Sequence, residues 1–281
     1  MNLALTRRKF LSSLSLIGAT PVYAFGVEPK WLERTFHQIE LPHRNLASGV
    51  RILHLSDFHA SPAVPFSLIE KAVEYGLAVQ PDLICLTGDF VTDAHACDEQ
   101  EYSRILRRLS NAAPTFACLG NHDGGIWSAN RGGFRDTTVV RGLIDASGVS
   151  LLHNRSELIP VRGQSMRVVG VPDLWSREVD GQLAFQDVQP GEPTILLAHN
   201  PDTKDVLADH PWDLMLSGHT HGGQVLVPLV GTRFIPVQDK RFIAGLKEWN
   251  RRQIYISRGV GSLAGVRFNC RPEVTVLQIA G

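Results

Sequence analysis

Five short apolar runs in this chain each stop at a cluster of aspartate, asparagine or histidine, most of them beside glycine. Val50–Leu55 leads into Ser56-Asp57-Phe58-His59, and Leu83–Leu86 into Thr87-Gly88-Asp89. Phe116–Leu119 leads into Gly120-Asn121-His122-Asp123, and Ile195–Ala198 into His199-Asn200-Pro201. The last, Leu214–Leu216, leads into Ser217-Gly218-His219-Thr220-His221. Runs this short and this apolar fit strands buried on both faces, which belong to layered α/β architectures. In those architectures sites are built at the carboxyl ends of the strands. The chain thus places its ligand-type side chains where such a fold assembles chemistry.

Further strands are predicted at Met166–Val171, Arg252–Ile256 and Val274–Ile279, with an edge strand within residues 31–47. Helical spacing marks Pro65–Val79, Glu99–Ala112 and the shorter Val139–Ser147. The first part therefore reads βαβα and the second is richer in strands. With 281 residues, 43% of them hydrophobic, one substantial core is expected. The 28 basic and 28 acidic residues cancel, so the chain lacks the electrostatic footprint of a nucleic-acid binder. Cys85, Cys97, Cys118 and Cys270 form no CxxC pair and read as free thiols, largely buried.

Residues 1–24 stand apart from the fold. Arg7-Arg8-Lys9 precedes an apolar stretch from Phe10 to Ala19, and Pro21-Val22-Tyr23-Ala24 offers a small-residue cleavage site. The stretch is about half the length that spans a bilayer. It resembles a twin-arginine export signal, which implies the export machinery as a partner and a periplasmic, membrane-associated location. Residues 25–47 then form a lead-in strand, and 48–281 the main domain.

Imidazole nitrogens with carboxylate and amide oxygens are the donor set of divalent Mn, Fe or Zn. In an extended segment, residues i and i+2 point to the same side, so Asp57 with His59, and His219 with His221, are each expected to reach one point. A lone DxH or HxH is more often a surface turn or a structural histidine. Five such elements in this order are a specific signal.

Together, Asp57-x-His59, Gly88-Asp89, Gly120-Asn121-His122-Asp123, His199 and Gly218-His219-Thr220-His221 resemble the signature of the calcineurin-like metallophosphoesterases. The ending His221-Gly222-Gly223-Gln224, with Ser257–Gly261 and Arg267–Glu273, is similar to the bacterial YkuE/YaeI-like phosphodiesterase branch. The resemblance implies a four-layer α/β/β/α sandwich with a dinuclear metal site at the C-terminal strand ends. It implies that one divalent metal takes Asp57, His59, Asp89 and His221, and the other Asp89, Asn121, His199 and His219, with Asp89 bridging. A metal-bridging hydroxide would attack phosphorus. His122 would serve the leaving group, with Asp123 orienting its imidazole and raising its pKa.

Other polar residues carry plainer readings. Asp93 reads as a cap or turn, Asn200 as a turn residue, and His54 as a sheet-face histidine. His37, His43, His95, His153 and His210 lack motif context. Arg258 and Arg267 read as phosphate ligands or surface ion pairs. The apolar segment Val225–Val237 is either a bent strand pair or a wall for a lipid-like phosphoester, with Leu229 and Phe234 as its test positions. Relatives of this kind include UDP-2,3-diacylglucosamine pyrophosphatases of lipid A synthesis, an activity that suits a domain kept on the cytoplasmic face. A metal-free scaffold is the alternative of another class, disfavoured by the complete ligand set. A two-metal protease or amidohydrolase is disfavoured by the order of the blocks.

Overall fold

The computed structural model describes residues 20–41, 49–227 and 235–280. All eight apolar runs are strands. Among the described residues, twelve strands form two six-stranded mixed sheets. The first contains β1 (Glu33–Glu40), β2 (Arg51–Leu55), β3 (Leu83–Thr87), β4 (Thr115–Cys118), β5 (Ser150–Leu151) and β12 (Glu273–Ala280), in the order β1-β12-β2-β3-β4-β5. The second contains β6 (Arg155–Val161), β7 (Gln164–Gly170), β8 (Thr194–Leu197), β9 (Leu214–Ser217), β10 (Gly245–Trp249) and β11 (Arg252–Ile256), in the order β10-β11-β9-β8-β7-β6. Strands β2 to β5 run parallel, as do β7, β8, β9 and β11. The site-bearing strands are therefore the central parallel ones, and each sheet offers its carboxyl ends at the same edge.

Alternation along β2 shows how one strand serves two cores. Leu53 and Leu55 face the helices α1 (Phe66–Leu77), α2 (Glu99–Ser110) and α3 (Thr138–Ala146), against Ile69, Ile105 and Leu143. Ile52 faces the inter-sheet core with Phe116, Val168, Ile195 and Leu214. His54 falls on the inter-sheet side, fully buried, with Nε2 2.8 Å from Thr87 Oγ1. The outer face of the second sheet is covered by Phe185, Leu207, Trp212 and Phe242. That fourth layer is thin, built from the one-turn helices Gly181–Phe185 and Thr203–Val206 and their loops.

The lead-in strand lies at the sheet edge, β1 pairing parallel to β12. Its hairpin-free entry to the fold starts earlier than residue 25. Ala24 is buried and its carbonyl accepts the Arg267 N–H at 2.9 Å. Among the described residues no helix is long and apolar enough to cross a membrane. All four cysteines are free, Cys97 being half-buried and the others buried. Leu229, Phe234 and His43 lie outside the described residues.

Candidate metal centre

Loops following β2, β3, β4, β8 and β9 converge on one buried point. Asp57, His59, Asp89, Asn121, His199, His219 and His221 are all there, each at most 6% exposed. The seven divide into two groups. His59 Nε2 lies 2.9 Å from His221 Nε2, and Asp57 Oδ1 lies 3.5 Å from His221 Nε2. His219 Nδ1 lies 2.8 Å from Asn121 Oδ1 and 3.3 Å from His199 Nε2. Asp89 Oδ2 belongs to both, 3.4 Å from His59 Nε2 and 3.1 Å from His199 Nε2.

Local backbone, rather than strand alternation, aims these side chains. Asp57, His59, Asp89, His219 and His221 all have positive φ, between 51° and 71°. This left-handed conformation is costly for residues with a Cβ and clusters at functional sites. The expected extended i, i+2 geometry is thus corrected: the strands end first, and left-handed turns swing the ligands inward. Two glycines make room for carboxylates. A Cβ on Gly218 would strike Ser56 Oγ and Asp57 Oδ2, and one on Gly120 would strike Asp89 Oδ1.

Second contacts set which imidazole nitrogen faces the site. His199 Nδ1 donates to the Thr87 carbonyl at 2.6 Å, leaving Nε2 free to coordinate. His59 Nδ1 meets Thr92 Oγ1 at 2.5 Å, and His219 Nε2 meets the Pro236 carbonyl at 3.1 Å. Burial pushes the His59 and His219 imidazoles down to about 3, and His221 well below its usual value. All three thus stay neutral with a lone pair available. Burial pushes the Asp57 carboxyl up to about 6. Burial also opposes charge on His199 and Asp89, but their mutual contact raises the His199 pKa and lowers that of Asp89. His199 Nε2 thus sits in a field that favours a positive charge, which a cation would supply in place of the proton.

This donor set fits divalent cations. Two neutral imidazole nitrogens, His59 Nε2 and His221 Nε2, face each other across 2.9 Å, and His221 Nδ1 has no hydrogen-bond partner. Buried polar atoms in that position call for a cation. The grouping of Asp57, His59 and His221, and that of Asp57, Asp89 and His199, each bring three donor atoms within 4.8 Å.

His122 is buried beside the seven and forms a third three-donor group with His59 and Asp89, its ring 4.7 Å from that of His59 and 4.4 Å from that of Trp127. Its backbone N–H donates to Asp89 Oδ1 at 2.8 Å. Burial lowers its pKa. Asp123 does something other than orient that ring. Its Oδ2 accepts the N–H groups of Asp89 at 2.9 Å and Gly120 at 2.7 Å, and its Oδ1 that of Phe90 at 2.6 Å. The carboxyl group ties the β3 and β4 loops together: its three hydrogen bonds all go to backbone amides and none to the His122 ring.

Other expectations sort as follows. Asp93 caps a short 3₁₀ turn through the His95 N–H, and Asn200 Oδ1 accepts the Asp202 N–H at 2.9 Å. Neither arginine is free for phosphate. Arg267 is fully buried and donates to the carbonyls of Arg258, Gly259, Gly261 and Cys270. Arg258 pairs with Glu273 and Glu33. His153, unassigned by motif, lines a cleft beside the site together with Trp127, Asp173 and Trp175. These neighbours were missed, although Asp173 carries the signal that marked the others: β7 also ends in an aspartate.

Buried nitrogen and oxygen donors from five strand ends, in two overlapping groups, define a metallohydrolase centre on an α/β sandwich. The pattern of the calcineurin-like phosphoesterases matches residues 50–223, and the chain belongs to that family. It is 41% identical over 278 residues to phosphodiesterase YaeI of Escherichia coli, spanning 98% of this chain and 99% of that one. It is 27% identical over 319 residues to the UDP-2,3-diacylglucosamine pyrophosphatase LpxG of Chlamydia trachomatis, covering 95% and 96% of the two chains. The fold is similar to that of the Thermus thermophilus sulfate thiohydrolase SoxB, with a TM-score of 0.51 at 12% identity. That match covers 84% of this chain and spans 57% of the SoxB chain.

Proposed function

We propose that this metallophosphoesterase is a two-metal phosphodiesterase. The observation that carries the reading is the Asp89 carboxylate, held between His59 and His199 at the junction of both donor groups. Asp57, His59, Asp89 and His221 would hold one ion, and Asp89, Asn121, His199 and His219 the other. Mn, Fe and Zn all suit this mixed donor set. When bound, such a pair acidifies solvent to a nucleophile and neutralises phosphate oxygens. The chain's own residues do the rest. Asn121 contributes a neutral oxygen, which adds no negative charge beside an anionic ester. His122, neutral and beside His59 and Asp89, donates an imidazole N–H to the departing oxygen. Asp123 fixes the Asp89 and Gly120 backbones on which both groups depend.

The named activity of the YaeI relative supports the diester over a monoester. A lipid-like ester is supported by a second feature. Val22, Phe25 and Val27 are exposed apolar residues, and Tyr23 packs on Phe268 with ring centroids 6.4 Å apart. Phe268 pairs in turn with Gln224 and Leu226, just beyond His221. An anchor preceding residue 20 would therefore bring the site's own edge to a bilayer. The seating of Ala24 favours residues 1–24 as a retained tether, in the periplasm after twin-arginine export. Intact mass of the exported protein tests this, and a mature start at Phe25 would refute it.

The deciding assay is hydrolysis of bis-p-nitrophenyl phosphate by protein stripped of metal and refilled with Mn. Turnover should require metal, vanish in Asp89→Asn and fall about 10²–10⁴-fold in His122→Ala. Metal-independent turnover, or full activity in Asp89→Asn, would overturn the reading.

A further inference from the structure

A cleft of about 590 Å³ opens beside the metal ligands and shares Asn121 with them. Asp173 sits in its wall, only 4% exposed. One oxygen, Oδ2, accepts the Trp175 N–H at 2.8 Å and so caps the short 3₁₀ turn Leu174–Ser176. The other, Oδ1, is buried and has no hydrogen-bond partner among the described residues. A buried acceptor left unsatisfied is expensive, and a native fold retains one where something else supplies the donor.

The surroundings narrow the donor's chemistry. Trp175 stands edge-on to His219, with centroids 4.7 Å apart, and Trp127 stands edge-on to His122. The two indoles touch each other, with centroids 5.6 Å apart and planes at 55°. No ring fits between them, so they cannot sandwich a nucleobase. Arg131 lies 4.0 Å from the Trp127 ring centroid and covers that face. What remains is an aromatic wall beside an unpaired carboxylate oxygen. Arg131 and Arg135 share the cleft with Asp136 and Glu178, so its remaining charges balance and do not by themselves call for an ammonium group. A hydroxyl group supplies the one donor that the buried oxygen lacks, and the C–H face of a polyol packs on indole without needing a second stacking partner.

We propose that Asp173, with Trp127 and Trp175, forms a subsite for a hydroxyl-bearing alcohol group of the phosphodiester, glycerol or a sugar in type. Asp173 Oδ1 accepts the hydroxyl proton, and the tryptophans carry the carbon skeleton. This rests on the phosphodiesterase reading above, whose substrate class it narrows. Such a site discriminates by penalising analogues that leave its buried acceptor unpaired.

The test is competition against bis-p-nitrophenyl phosphate by glycerol 3-phosphate, ethyl phosphate and 2-aminoethyl phosphate, using the full Mn-loaded chain. Glycerol 3-phosphate should inhibit about tenfold more tightly than ethyl phosphate, the scale of one charge-assisted hydrogen bond. Asp173→Asn should reduce that ratio severalfold, because the amide offers the hydroxyl only a neutral hydrogen bond in place of the charge-assisted one. Equal inhibition in the wild type, a ratio unchanged in the variant, or preference for the aminoethyl ester would each overturn the subsite. The wild-type ratio needs no variant, so a poorly folding Asp173→Asn does not protect the proposal. Absence of turnover would count against the phosphodiesterase reading instead. The same three esters, titrated by quenching of tryptophan fluorescence, would then still decide the subsite by the same ratio.

Discussion

Asp123→Asn separates two roles for the aspartate that follows His122. In the structure its three hydrogen bonds all go to backbone amides, from Asp89, Gly120 and Phe90. An asparagine can keep its oxygen toward Asp89 and Gly120. Its amide then faces the Phe90 N–H, donor against donor, in a position with no solvent exposure. Two buried donors are left unsatisfied, at about 1–3 kcal/mol each, so the variant should lose about 2–6 kcal/mol of stability. Urea unfolding of the metal-stripped protein reads that loss without interference from bound ions. Metal affinity should fall too, because the Asp89 backbone that the carboxylate holds carries the shared ligand. The pH dependence of the residual activity should keep its midpoint. An Asp123→Asn protein as stable as wild type, with a shifted pH profile, would refute this. It would mean that the carboxylate acts on the His122 ring after all.

Three further outcomes follow from the geometry. Burial holds the His54 imidazole at about 4, below its ordinary 6.5, so the unfolded chain binds the extra proton between those values. His54 therefore costs nothing above pH 6.5 and removes about 3 kcal/mol as pH falls to 4, and His54→Leu should flatten the stability profile across that window. Gly218→Ala places a methyl group against Asp57 Oδ2 and Ser56 Oγ, and should weaken metal binding about 10–100-fold in a calorimetric titration. Adding Mn to the stripped protein should raise its unfolding free energy by about 2.7 kcal/mol per site at 100 times Kd, and Asp89→Asn should abolish most of that gain.

The strands and ligands were legible because their signals are local. An apolar run closing on aspartate or histidine marks a strand end whatever else the chain does, and the seven side chains that converge in the fold all follow such runs. The edge strands β6 and β10 were not legible, since Arg155–Val161 and Gly245–Trp249 are half-exposed and carry no unbroken apolar run. Nor were the left-handed turns. Nothing in Asp57-Phe58-His59 announces a positive φ at both ends, because that conformation is imposed from outside the segment.

The source of that imposition is visible only once the loops are assembled. Asp57 from the β2 loop accepts the backbone N–H of His219 in the β9 loop, at 3.0 Å. Asp89 from the β3 loop accepts that of His122 in the β4 loop, and Asp123 returns the link to Asp89 and Phe90. Each aspartate thus holds the backbone of a loop that carries another ligand. Left-handed residues cost about 1–3 kcal/mol each, so the ligand positions persist only while these cross-links hold. Adjacency in sequence suggested that Asp123 serves His122, whereas adjacency in space gives it the loop before. It follows that the two donor groups are one mechanical unit. Removing any one of the three carboxylates should weaken cation binding at both groups together, Asp123 included although it belongs to neither.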